Sequence, residues 1–203
     1  MKKLNFRDLI YFIVGISFLT LGIRIIDISS LGLAFSDAIV IKLTEIFNIN
    51  ASISSLILGS CILIVVSIIK KSRPQIECLI TSFALGFFID FWMFFIKDVS
   101  IENIFVKIGI FIFGAFVLSL GVSMYLQPQY PSHPIDLLLI TLVKTFNFSM
   151  FKSKVFMDVV FAMFAIFLVA PIGIGSIFNT LCLGFFIDKI FFVVEKFYKR
   201  NSK

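Results

Sequence analysis

The sequence predicts an all-α membrane protein of about six transmembrane helices plus two short re-entrant or half-helices, arranged as two inverted-topology repeats. Three observations predict it: a composition far too apolar for a soluble domain, six apolar runs long enough to cross a bilayer, and an internal duplication in which LGFFID occurs twice, at Leu85 to Asp90 and Leu183 to Asp188.

The composition bounds the class. Of 203 residues, 60% are hydrophobic, 28 are phenylalanine and only 15% are charged, with a mean hydropathy of +1.09. Soluble domains carry about a quarter charged residues, so this chain belongs in a lipid bilayer. The basic stretch from Met1 to Asp8 leads into an apolar run with no small-residue cleavage motif before Arg24 and Asp27. That run is read as a retained first span and not as a removed signal peptide. The net charge of +6 is concentrated in Lys2, Lys3 and Arg7, in Lys70, Lys71 and Arg73, and in Lys196, Lys199, Arg200 and Lys203. These are loop charges of the positive-inside kind, so membrane lipid and not nucleic acid is the implied surface. Cys61, Cys78 and Cys182 stand singly in apolar stretches, and His133 is the lone histidine. Nothing there has metal-ligand spacing, so neither a metal nor a cofactor is expected.

The apolar runs fall at 9–28, 51–69, 75–96, 104–126, 153–170 and 173–194, and about 20 residues suffice to cross the hydrocarbon as a helix. Two shorter runs, 36–47 and 134–146, carry lysine within them and reach only about two-thirds of that thickness, so they read as half-helices. With the short segments re-entrant, both ends of the chain, the loop of Lys70 to Arg73 and the loop from Lys144 to Lys154 share the cytoplasmic side. Full crossings by the short segments would put Lys70, Lys71 and Arg73 outside, against the charge bias.

The duplication is wider than six letters. At a shift of 99 residues Gly15 answers Gly114, Leu21-Gly22 answers Leu120-Gly121, Asp37 answers Asp136 and Phe47-Asn48 answers Phe146-Asn147, while Asp90 answers Asp188 after a one-residue gap. The expected organisation is therefore a first transmembrane repeat at 1–99 and a second at 100–203, within one integral membrane domain. Three crossings per repeat insert the second half upside down, an arrangement common in secondary transporters and some channels.

The repeated acids are the candidate site. Asp90 and Asp188 lie about two-thirds along spans that start on opposite sides, each with a glycine four residues earlier, Gly86 and Gly184, on the same helix face. A carboxylate facing lipid costs about 2.5 to 3.5 kcal/mol on insertion scales, so these groups are expected to face protein or water. Thr81-Ser82 and Asn179-Thr180, a little over two turns earlier, either line the same cavity or bond helix to helix. Asp37 and Asp136 fall in the first turn of each half-helix, with Ser36 and Ser132 as expected N-caps and Pro134 at the first or second helical position. A half-helix N-terminus inside the membrane offers backbone N–H groups to a solute. The bland alternatives are assembly for Asp90 and Asp188 and capping for Asp37 and Asp136. His133 reads as a solvated loop residue, Gly15, Gly22, Gly114 and Gly121 as close-packing seams, and Arg24 with Asp27 and Lys154 with Asp158 as local pairs.

The junction Pro131 to Asp136, the turn Pro171-Ile172-Gly173-Ile174-Gly175-Ser176 and the repeated Leu-Gly-Phe-Phe-Ile-Asp resemble the YczE/YitT-type family of bacterial integral membrane proteins, over about residues 10–192. The resemblance implies a multi-span protein of the bacterial cytoplasmic membrane and supplies no substrate. Two positions depart from that pattern: Gln129-Tyr130 stands where a glycine is usual, and Ser72-Arg73-Pro74-Gln75 in the first half faces the Pro-Ile-Gly-Ile-Gly turn of the second.

The functional expectation is a small-solute transporter, proton- or cation-coupled, whose binding residues are Asp90, Asp188, Asp37, Asp136, Gly86, Gly184, Thr81, Asn179 and Thr180. A regulatory or scaffold membrane protein and a channel stay open beside it, as does homo-oligomerisation. No Walker loop, nucleophile elbow or His-Glu-x-x-His motif occurs, and no enzymatic activity is expected.

Overall fold

A computed structural model describes residues 6–97, 99–128, 130–148 and 150–200 as eight helices, with no strand among them. In order they are α1 (Phe6–Ser29), α2 (Phe35–Phe47), α3 (Ala51–Lys70), α4 (Cys78–Phe95), α5 (Ile104–Tyr125), α6 (Pro134–Phe146), α7 (Met150–Phe167) and α8 (Ile174–Arg200). Each coincides with one of the apolar runs. Among the described residues α1, α3, α4 and α5 are long and apolar enough to cross a membrane. The outer faces of α4 and α5 are phenylalanine-rich: Phe87, Phe94, Phe105 and Phe113 are all exposed, as side chains bathed in acyl chains would be.

The centre of the molecule is the contact between α1 and α5, and glycine makes it possible. A Cβ on Gly15 would strike the backbone of Tyr125, one on Gly22 the backbone of Leu118, and one on Gly121 the backbone of Leu19; Gly114 sits against Ile26. Successive steps up α1 meet successive steps down α5, so the two helices are antiparallel. Lipid tails are as apolar as leucine, which leaves close packing of small residues to hold such helices together. The glycines expected to form seams do so, and the seam is internal to the chain.

Around this pair the remaining helices pack in matched sets. α1 carries α4 and α5 carries α8; α2 lies against α3 and α7, while α6 lies against α7 and α3. α4 runs parallel to α1, with the Trp92 indole N–H donating to Ser17 O at 3.0 Å. Further along, Arg24 donates to Ile96 O through Nε at 3.0 Å and a terminal nitrogen at 2.7 Å. Arg24 also pairs with Asp27 as the i, i+3 spacing suggested, so one buried guanidinium serves a local ion pair and the free carbonyl at the end of α4. α3 and α4 are antiparallel, Gly86 resting on Ser52 and Gly59 on Ser82. Near the chain ends, the Tyr198 hydroxyl donates to Asp8 at 2.6 Å and Arg7 lies over the Tyr198 ring, which places the start of α1 beside the end of α8.

Several of the buried hydroxyls inside the bundle are satisfied by their own helices. Thr20, Ser119, Ser123 and Thr141 each donate to the carbonyl four residues earlier, at 2.6 to 2.9 Å. The two half-helices α2 and α6 have 13 residues each, about 20 Å, and both end in an asparagine in the left-handed conformation, Asn48 at φ 48° and Asn147 at φ 53°. This repeated stop explains why two segments with apolar sequences remain too short to cross.

Candidate functional site

The N-termini of α2 and α6 come together on a cavity of about 150 Å³ beside the middle of the α1–α5 seam. Asp37 and Asp136, read from the sequence as first-turn acids of two separate half-helices, both line it. Tyr125, His133, Lys154, Ser36 and Ser55 add to the polar wall, and Leu19, Ile23, Leu118 and Val122 supply part of the apolar one.

Each polar group has a traceable support. Tyr125 ends α5 against Gly15, and its hydroxyl donates a hydrogen bond to Asp136. Pro134 opens α6 and His133 caps it, the imidazole Nδ1 accepting from Ile135 N at 3.4 Å. The loop ahead of α6 is held by Thr81, whose hydroxyl donates to Pro131 O at 2.7 Å. Ahead of α2, Gly175 N donates to Leu31 O at 2.8 Å and Leu33 N to Pro171 O at 3.5 Å. Gly32 and Gly173 meet there with no room for a side chain, and Gly32 has a φ of 116° that other residues rarely adopt. The Pro-Ile-Gly-Ile-Gly turn is thus the seat of the loop leading into α2. Lys154, on α7, donates to both oxygens of Asp158 at 2.7 Å.

The start of α2 differs from that of α6. Ala34 occupies the N-cap and has no side chain to bond the first amides. Asp37, half-buried on the cavity wall, has no hydrogen-bond partner among the described residues; the charges of Lys154, Asp158 and Asp136 lie close enough to act on it. A carboxylate near an uncapped helix N-terminus is favoured by the helix dipole, yet both its oxygens remain available to a ligand.

The other predicted residues fall elsewhere. Asp90 accepts from Ala51 N at 2.9 Å, Ser52 N at 3.2 Å and Ser52 Oγ at 2.8 Å, so it caps the start of α3 from the neighbouring helix. Asn50, the N-cap residue by position, makes no such bond. Gly86 lets α4 come close enough for this, since a Cβ there would collide with Ser52 Cα. In the first half, therefore, Gly-x-x-x-Asp closes a helix terminus inside the bundle. Thr81 steadies the α6 loop, and Thr180 donates to Ser176 O at 3.2 Å within α8. Asn179, Gly184 and Asp188 lie outside the residues whose side chains the structure describes.

Four residues at or beside the site differ from their sequence reading. His133 is a cap on the cavity and not a solvated loop residue, because the loop folds inward against α4. Lys154 keeps its local pair with Asp158 and also faces the cavity, since α7 packs on α2. Ser36 and Ser132 are not the N-caps; the helices start from Ala34 and His133, and Ser36 lies inside the first turn on the cavity wall. Tyr125 gave no signal, because its partner Asp136 is 11 residues away across a loop.

Long apolar helices with exposed phenylalanines, packed around a small cavity of mixed apolar and polar lining, define an α-helical integral membrane protein. The chain belongs to a family of unknown function (DUF6198), which matches residues 6–191. It is similar to the uncharacterized protein YyaS of Bacillus subtilis (strain 168), with 29% identity over 95% of this chain and 96% of the relative. It is also similar to the uncharacterized membrane protein YczE of the same organism, with 26% identity over 90% of this chain and 84% of the relative. The resemblance to YczE-type membrane proteins is thereby borne out. No solved structure matches the chain.

Proposed function

We propose that this protein is a small-solute transporter of the bacterial cytoplasmic membrane, with both ends of the chain cytoplasmic, and that its solute occupies the cavity between the α2 and α6 N-termini. The observation that carries the reading is the meeting there of Asp37 and Asp136, equivalent acids of the two sequence repeats, one on each half-helix. Six spans and two re-entrant half-helices in two inverted repeats are the proposed architecture. The antiparallel seam of equivalent glycines and the matched packing of α1 to α4 with α5 to α8 support it. In such a frame a central cavity is opened to each side in turn by rocking one repeat against the other. The acids bind, and no bond of the solute is made or broken.

The test is a solute profile, inside and outside cells, of a deletion strain carrying the wild-type gene or the Asp37→Asn/Asp136→Asn double variant. The expected result is a compound whose distribution shifts on deletion and is restored by the wild type alone. A restored phenotype with the double variant, and no compound moving, would sink the transport reading and favour a regulatory membrane protein. The re-entrant architecture has its own check in a cysteine-free background. An impermeant thiol reagent is expected to reach Asn48→Cys in intact cells and Asn147→Cys only after permeabilisation; the opposite pattern at either site refutes it.

A further inference from the structure

The reading of the cavity as a solute site leaves the solute's chemistry open, and the charges facing the cavity narrow it. The carboxyl groups of Asp37, Asp136 and Asp158 and the ammonium of Lys154 act there together. Lys154 gives two hydrogen bonds to Asp158, which offsets its charge locally. Asp136 receives the Tyr125 hydroxyl, a neutral donor that satisfies one oxygen without cancelling the charge. His133 accepts a backbone N–H at Nδ1 and in that arrangement is the neutral imidazole. Asp37 receives no donor among the described residues. The helix dipole at the start of α2 contributes only about half a unit of positive charge. Two carboxylates therefore remain without a matching cation in a cavity whose other wall is Leu19, Ile23, Leu118 and Val122.

A carboxylate against an aliphatic wall is unfavourable unless it is protonated or paired, and a positive species in the cavity is the pairing that the geometry allows. The size limits that species. A cavity of 150 Å³ accommodates about six non-hydrogen atoms, as for benzene in an engineered cavity of that volume. The walls are mixed, acid on one side and branched aliphatic on the other, which suits a molecule with one charged end and a short hydrocarbon body.

We infer that the cavity recognises a small organic monocation of the alkylammonium type, its ammonium held between Asp37 and Asp136 and its hydrocarbon against Leu19, Ile23, Leu118 and Val122. Asp37 is the principal contact, because its oxygens are the ones left without donors. An ammonium offers three N–H groups and satisfies both acids at once.

This inference rests on the proposed transport site, and the experiment separates the two. Purified protein in detergent is melted with increasing n-butylammonium chloride, potassium chloride, sodium butyrate or n-butanol at matched ionic strength. A ligand that binds the folded state alone raises the melting temperature in proportion to the logarithm of its concentration above Kd. Butylammonium is expected to do so and the other three are not. Asp37→Asn is expected to weaken the response about tenfold or more, as hydrogen bonds to charged groups are the strong ones. Leu58 also lines the cavity, and Leu58→Phe, which fills part of it and leaves the acids in place, is expected to abolish the response. Each variant is also melted without probe to establish that it folds, and the order of the four probes on the wild type decides the charge preference whatever the variants do. Stabilisation by butyrate overturns the inference, giving the site to anions held by the α2 amides and Lys154. An equal response to butanol overturns charge recognition, an equal response to potassium overturns the organic body, and no response to any probe overturns the cation. A transported compound that is neutral or anionic also defeats this inference while leaving transport standing. Butylammonium binding with a silent solute profile keeps the inference and removes transport.

Discussion

Gly121→Ala is expected to cost about 3 kcal/mol of stability and to deplete the folded protein from the membrane, the largest effect of an added methyl among the described glycines. The added carbon would fall on the backbone of Leu19 and beside the Gly15 carbonyl, neither of which is the movable end of a side chain. Relief requires α1 and α5 to separate along their shared seam. The same displacement draws Tyr125 away from Asp136, so a variant that still folds is expected to lose solute handling as well. Gly109 supplies the control: it lies on the same helix, with nothing within reach of an added Cβ. Gly109→Ala is expected to change stability by less than about 1 kcal/mol, and in the favourable direction, through helix propensity. Thermal melting of the two purified variants measures the contrast. Equal melting temperatures would mean that the seam is not tightly closed.

Asp90→Ala is expected to lower stability by about 2 to 4 kcal/mol, since it strips the acceptors from two backbone amides and a serine hydroxyl at the start of α3. Asp90→Asn keeps one carbonyl oxygen in place and is expected to lose roughly half as much. The comparison is a stability measurement on both variants, with solute handling followed in parallel. A cap predicts that activity per folded molecule survives Asp90→Asn, whereas Asp37→Asn removes it with the fold intact. Loss of activity in a fully stable Asp90→Asn protein would return Asp90 to the solute path.

These two results separate what repetition in a sequence means. Glycines seven apart and an aspartate four residues after a glycine are both visible as duplicated letters, and both were readable as packing or as function. The glycines became a seam because their positions in α1 and α5 face each other in opposite order. Asp90 became a cap because Gly86 admits the start of α3 to within hydrogen-bonding reach. Periodicity along one helix carries no information on which other helix lies opposite, so neither partner was readable from the chain. His133 and Lys154 show the same limit. Their residue types are common in loops and at helix ends, and only inward folding of the 130–134 loop and packing of α7 on α2 bring them to the cavity.

Sequence by itself determined the membrane class, the eight helices, the two that stop short and the duplication, because hydrophobic run length, charge placement and repeated turn residues act locally and leave their record in order along the chain. Only the tertiary structure decided that Asp37 and Asp136 share one cavity with Tyr125, His133 and Lys154 while Asp90 does not. That choice depends on how closely two backbones approach, and contacts between residues a hundred positions apart are set by the shape of both surfaces together.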